Sequence, residues 1–169
     1  MLRKNLLILV AAGAMAFALS ACDKKEAPEA ATEQVAEVVS VPAPGSEPAA
    51  WKKYLAAVVM QNMQGVKTSR PYMYFVPAGD DGKAEMDRSN QLDNVKITVA
   101  RGVLPGNMLA FGGPDSKITA DLVVDAFSEA GAGTFKDVVV LFVGAQADSD
   151  RVKEALASSG ATYRFAEMK

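Results

Sequence analysis

Six consecutive apolar residues, Val138 to Val143, are the feature that most limits what this chain can fold into. A strand with one wet face alternates apolar and polar residues, so an unbroken run of this kind asks for cover on both sides. Turn and capping residues punctuate the sequence around it. Asn107 to Phe111 reads as a short strand, broken by Gly112, Gly113, Pro114, Asp115 and Ser116. These residues also cap a helix of about 116–130, whose apolar stripe is Ile118, Leu122, Val123, Ala126 and Phe127. Beyond the central run, Asp148, Ser149 and Asp150 open another helix with Val152, Ala155 and Leu156 on its inner side. Gly160 closes that helix, and Thr162 to Ala166 supplies a last strand. Strand, helix, strand, helix, strand is the order that crossovers into a parallel sheet produce. The expected fold is therefore α/β, a single small domain with a mixed, mostly parallel sheet flanked by helices.

Upstream, Trp51, Leu55, Val58, Val59 and Met63 fall on one helical stripe and Gly65 stops it, which predicts a helix over 51–64. Pro71 to Val76 is aromatic and β-branched, a strand ended by Pro77, and a short helix over 84–92 follows. Val95, Ile97 and Val99 alternate with Lys96, Thr98 and Ala100, the period of a half-buried strand. The brief connection to Asn107 predicts that this strand pairs antiparallel with the next.

The N-terminal 50 residues carry no such pattern. Arg3 and Lys4 precede an apolar run from Leu6 to Leu19 that is short for a bilayer span, and the small residues Ser20 and Ala21 then lead to Cys22, the only cysteine. Leu19-Ser20-Ala21-Cys22 resembles the lipobox of bacterial lipoproteins. The resemblance covers 22 of 169 residues. It implies a signal peptide over 1–21, removed so that Cys22 becomes the first residue, with diacylglycerol on its thiol and a further acyl chain on its freed amine. Each buried methylene contributes ~0.8 kcal/mol, so three chains anchor durably where one would not. The implied address is the bacterial cell envelope, on the periplasmic face. Asp23 resembles the inner-membrane retention signal of enterobacterial lipoproteins, but other lineages read other positions, so inner and outer membrane both stay open. Residues 22–50 then comprise the lipidated Cys22 and an Ala/Glu/Pro-rich tether. Pro28, Pro42, Pro44 and Pro48 interrupt it, and Ala31, Val35 and Val38 allow no more than a short helical stretch. Such a tether reaches roughly 30 Å relaxed and about 90 to 100 Å stretched. The globular domain is expected over 51–169.

Charge and missing residue types narrow the chemistry. Beyond residue 21 the chain holds 16 basic and 20 acidic residues, and the acidic excess sits in the tether, leaving 14 of each in 51–169. A balanced domain lacks the clustered Lys and Arg that phosphate backbones demand, so nucleic acid is set aside as a partner. With no histidine and its one thiol assigned to lipid, the domain offers no Cys or His for zinc, for a Ser-His-Asp triad or for a Cys-His pair. No metal or cofactor is called for, and no Gly-x-Ser-x-Gly or Ser-x-x-Lys nucleophile motif occurs.

Two loops share a design. Residues 111–116 and 143–149 each leave a strand, cross glycine and enter a helix, which puts both at the carboxyl edge of a parallel sheet. Asp115, Ser116, Asp148 and Ser149 are therefore the candidate ligand-binding residues, although the same residue types are good helix caps. Asp80, Asp81, Glu85 and Asp87 cluster without the spacing of a calcium loop. Trp51, Tyr72, Tyr74 and Tyr163 serve either a sugar-stacking surface or a core. The reading that follows is a membrane-anchored envelope lipoprotein whose non-catalytic domain binds a partner protein or cell-wall component. Alternatives are a carboxylate-based hydrolase acting on peptidoglycan or glycan and an envelope assembly or inhibitor lipoprotein. A cleft lined by several carboxylates would favour the hydrolase, and an exposed apolar patch with a polar rim would favour a protein partner.

Overall fold

The computed structural model describes residues 40–169, so the signal segment, Cys22 and the tether up to residue 39 lie outside the described residues. Helix α1 (Pro48–Gln61) is followed by β1 (Tyr72–Phe75), α2 (Gly82–Arg101), β2 (Met108–Gly112) and α3 (Ser116–Phe127). Strand β3 (Val139–Gly144), α4 (Gln146–Leu156), a 3-10 turn (Ala157–Ser159) and β4 (Thr162–Glu167) complete the chain. The fold is α/β with a four-stranded sheet in the order β1-β2-β3-β4, every pair parallel.

Because the strands lie in sequence order, right-handed crossovers carry all three connecting helices to one side of the sheet. The packing follows that rule. Val95 and Val99 of α2, Val123 and Phe127 of α3, and Val152 and Leu156 of α4 share one core with Leu109, Phe111, Val140 and Phe142 of the central strands. The alternate strand residues, Met108, Ala110, Val139, Leu141 and Val143, turn the other way and meet Trp51, Leu55, Val58 and Val59 of α1. All six residues of β3 are buried, as the apolar run demands. Among the described residues, three helices thus cover one face and α1 covers the other.

Helix α1 starts at Pro48 rather than Trp51, with proline in the first turn, where its missing N–H costs no helical bond. Val41 already packs against the α1 core, so the chain is held on the domain ahead of the helix. At the far end, the Arg164 guanidinium of β4 donates to the carbonyl of Asn62, the C-cap of α1, and at 2.6 Å to that of Gln64 in the turn beyond it.

The strand expected at 95–99 does not exist; it is the last part of α2, and the antiparallel pair it was to form is replaced by parallel neighbours on both sides of β2. Val95 and Val99 are buried one helical turn apart, whereas Ile97, which a strand would place beside them, is 49% exposed. Asp81 starts the helix by accepting from the Lys83 and Ala84 amides at 2.9 and 3.0 Å, and Gly102 ends it at a φ of 71°. Local β-branched alternation lost to the burial pattern that tertiary packing required.

Candidate functional site

The two glycine-bearing loops do lie together at the carboxyl ends of β2 and β3, and the four candidate residues are engaged there by the protein itself. Asp115 is the N-cap of α3 and accepts from the Ile118 amide at 2.9 Å. Ser116 donates to Asp148 at 2.6 Å and accepts from the Ala145 amide at 2.7 Å, bridging the start of α3 to the loop after β3. Asp148 also takes two bonds from the Arg151 guanidinium, at 3.0 and 2.9 Å. Arg151 in turn reaches Asp121 at 2.5 Å and the Lys117 carbonyl at 2.9 Å. Partial burial works to raise the Asp121 carboxyl, but the bonds from Arg151 and Lys117 hold it below its ordinary value. Ser149 is apart from the other three: it is buried and meets the Tyr163 hydroxyl at 2.9 Å. Burial pushes the Tyr163 hydroxyl up, and the Ser149 bond works against that rise.

The glycines of these loops have a packing cause too. A Cβ on Gly113 would stand 2.0 Å from the Val76 carbonyl oxygen, and one on Gly144 would stand 2.4 Å from the Phe142 ring and 2.7 Å from Ser116 Oγ. Both positions are closed by neighbouring atoms where a phosphate-cradling loop would be open. Topology adds to this. Among the described residues the strand order never reverses, so they lack the divergent crossovers that open a binding crevice in doubly wound sheets.

Of the other sequence candidates, Tyr74 and Trp51 turn inward, while the acidic cluster stays on the surface. Tyr74 stacks on Phe111 at 5.0 Å between ring centroids and donates to Thr98 at 3.0 Å, and Trp51 lies in the α1 core. Of the four aromatics considered for sugar stacking, Tyr72 alone is largely exposed. In the acidic cluster, Asp81 caps α2 and Asp87 pairs with Lys83 at 2.5 Å. The two amide bonds, the one from Ala84 foremost, hold the Asp81 carboxyl below its ordinary value.

The open surface lies elsewhere, along β1. A cavity of about 560 Å³ is bounded by Pro48, Lys52 and Leu55 of α1, by Met73, Phe75 and Pro77 on the strand side, and by Lys83, Asp87, Asn90 and Gln91 of α2. The α2 positions recur at helical spacing, so a single face of that helix forms one wall. Helix α1 on the opposite face of the sheet forms the other, and the outer edge of β1 is the floor. Met73 is 49% exposed on that floor, and the Lys52 ammonium sits 5.5 Å from the Phe75 ring centroid.

The floor also presents backbone. Val76 N–H donates to the Gly112 carbonyl at 2.9 Å, with Phe75 opposite Gly112 in the register. In a parallel ladder alternate residues bond the same neighbour, so Tyr74 and Val76 face β2, while Met73 and Phe75 turn their amides and carbonyls outward. Pro71 and Pro77 fall in the same outward phase and have no N–H to offer. Prolines at the outward positions of a strand apolar on both faces are the sequence signal for this edge. Locally, Pro77 marks no more than the end of the strand, and the edge position shows only once β2 is known to be the one neighbour of β1 among the described residues.

Compared with known proteins, the chain matches no family model, no curated relative and no solved structure.

Proposed function

We propose that this chain is a bacterial envelope lipoprotein, held to the membrane through acylated Cys22 and facing the periplasm, whose α/β domain binds a partner protein and performs no chemistry. The observation that carries the binding half is the groove at the β1 edge. Its floor exposes Met73 and Phe75, and its rim is polar, formed by Lys52, Lys83, Asp87, Asn90 and Gln91. Apolar floor with polar rim is the composition of a protein-docking surface. A glycan hydrolase needs two facing carboxylates, about 5 to 9.5 Å apart. The groove holds one, Asp87, and Lys83 is already paired with it. The lipobox resemblance carries the anchoring half, and among the described residues no helix is long and apolar enough to cross a membrane.

Two measurements test the two halves. Changing Cys22 to Ser should abolish incorporation of labelled palmitate, and persistent labelling would sink the anchor. A photo-cross-linking residue at Met73 should yield a discrete adduct with an envelope protein in intact cells, whereas the same residue at Ile97, equally exposed on α2, should not. Equal labelling from both positions, or hydrolysis of purified peptidoglycan by the full chain, would overturn the binding reading.

A further inference from the structure

We infer that the β1 groove takes its partner as an added β-strand: a short extended peptide, apolar at alternate positions and carrying a carboxylate, laid between α1 and α2. This rests on the protein-binding reading and specifies how the partner is held. Strand addition needs an edge with unpaired backbone, pockets for alternate side chains, and room on both sides of the new strand. All three occur here. Among the described residues β1 ends the sheet, and Met73 and Phe75 direct their backbone groups away from β2. The walls differ in character, which sets the pattern of the occupant. On the α1 side the lining is Pro48 and the exposed Met73, with the buried Leu55 behind them, an apolar contact. The α2 side offers Asn90, Gln91 and the Lys83–Asp87 pair, a polar one. Successive side chains of an extended peptide point to opposite faces, so apolar residues belong on the α1 side and polar residues on the α2 side. The cation of Lys52 above Phe75 favours a carboxylate at one α1-side position.

The ladder is short by construction. The Pro77 and Gly79 carbonyls accept from Arg88, at 3.3 and 2.6 Å, and Pro71 and Pro77 lack amides. Outward donors are therefore confined to Met73 and Phe75, which limits pairing to a few residues and guards against open-ended sheet growth. The same geometry argues against a second copy of this chain as the occupant. A two-fold contact brings a surface against itself, and two concave edges leave each other unfilled, whereas a single extended segment fills one.

The test uses the full chain in detergent and a short capped peptide in which serine alternates with valine, one valine being replaced by glutamate. Binding should slow exchange of the Met73 and Phe75 amides while leaving that of Val76, already bonded to β2, unchanged. Replacing the glutamate by lysine should weaken binding by about tenfold, and Lys52→Glu should reverse that preference. Two N-methylated peptides supply the decisive contrast, one methylated at the valine-phase nitrogens and one at the serine-phase nitrogens. Backbone pairing predicts that one phase loses binding and the other keeps it. Loss in the valine phase marks an antiparallel strand, and loss in the serine phase a parallel one. Met73→Pro removes one outward amide without touching the β2 ladder, so it should weaken binding about tenfold at an unchanged melting temperature. Strand addition is overturned if both methylated peptides bind alike, or if the Met73 and Phe75 amides stay unprotected. It is equally overturned if sedimentation shows a dimer whose Met73 amide is protected without peptide. Should Met73 still cross-link specifically in cells after either peptide result, partner binding survives and side-chain docking replaces strand pairing; without that cross-link, the binding reading itself falls.

Discussion

The loops leaving β2 and β3 and the outer edge of β1 are both places where this fold meets solvent, and they treat their polar groups in opposite ways. In the loops, Ser116, Asp148 and Arg151 bond one another, Asp115 bonds the backbone, and Gly113 and Gly144 are pressed against Val76 and Phe142. At the β1 edge, the Met73 and Phe75 backbone groups face outward from a floor that keeps apolar side chains in contact with water. The loops spend their hydrogen-bonding capacity on internal closure, whereas the edge keeps its capacity for another molecule. A glycine beside aspartate and serine at a strand–helix junction is thus no guide to a ligand until the neighbours of each atom are known.

The largest effect expected is at the closed loops. Gly113→Ala drives a methyl into the Val76 carbonyl at 2.0 Å, a backbone contact that cannot rotate away, so it should cost about 3 kcal/mol or more in urea unfolding. A cost below about 0.5 kcal/mol would show that the loop can shift open, and the contrast with β1 would dissolve.

Helix α2 walls the groove, so its identity as a helix bears on the same comparison. Val95→Ala should cost about 2 kcal/mol, and Ile97→Ala no more than about 0.5 kcal/mol. Similar losses at the two positions would restore the alternating strand and remove the groove's second wall.

A smaller change separates the two aspartates at the loops. Asp148→Asn forfeits a charge-assisted pair with Arg151 and should lower stability by about 1 to 2 kcal/mol. Asp115→Asn keeps a capping oxygen and should cost only a few tenths. Equal effects in thermal melts would mean that Asp148, too, acts only as a local cap.

Acid should loosen the same network. Asp121 is held below its ordinary carboxyl value in the folded chain, so the unfolded state takes up protons first as pH falls. The stability it contributes is present above about pH 4, near the ordinary Asp value, and is lost below it as the folded carboxyl titrates. Asp121→Asn should therefore flatten the acid side of a stability–pH profile, and a profile as steep as the parent's would remove Asp121 from the network's energetics.

The smallest effect belongs to the groove. Met73→Ser trims an exposed side chain from an edge strand and should change stability by no more than about 0.5 kcal/mol. A larger loss would mean that Met73 belongs to the core, and the open edge would cease to be a distinct surface.

Much of the architecture was legible without coordinates. The run Val138 to Val143 demanded a strand covered on both faces, and Asp115 at the start of α3 and Gly160 after α4 were enough to place the crossovers, although α4 begins at Gln146, ahead of Asp148 and without a side-chain cap. The cap Asp115 acts within three residues along the chain, so local sequence is sufficient to identify it. The stretch 95–99 failed because a few alternating β-branched residues fit either period, and burial beneath the neighbouring elements decided between them.

What the sequence by itself determined is the α/β order, the cap at Asp115 and, through Leu19-Ser20-Ala21-Cys22, the resemblance on which the proposed anchor rests. What only the tertiary structure decided is which strand is left at an edge and what flanks it. The pairing of Ser116 with Asp148 spans 32 residues, and the groove joins Lys52 of α1 to Gln91 of α2 across β1. The physical reason is range. Caps and hydrophobic periods act over one or two turns of chain, whereas an open edge exists only once every other strand has found its neighbours.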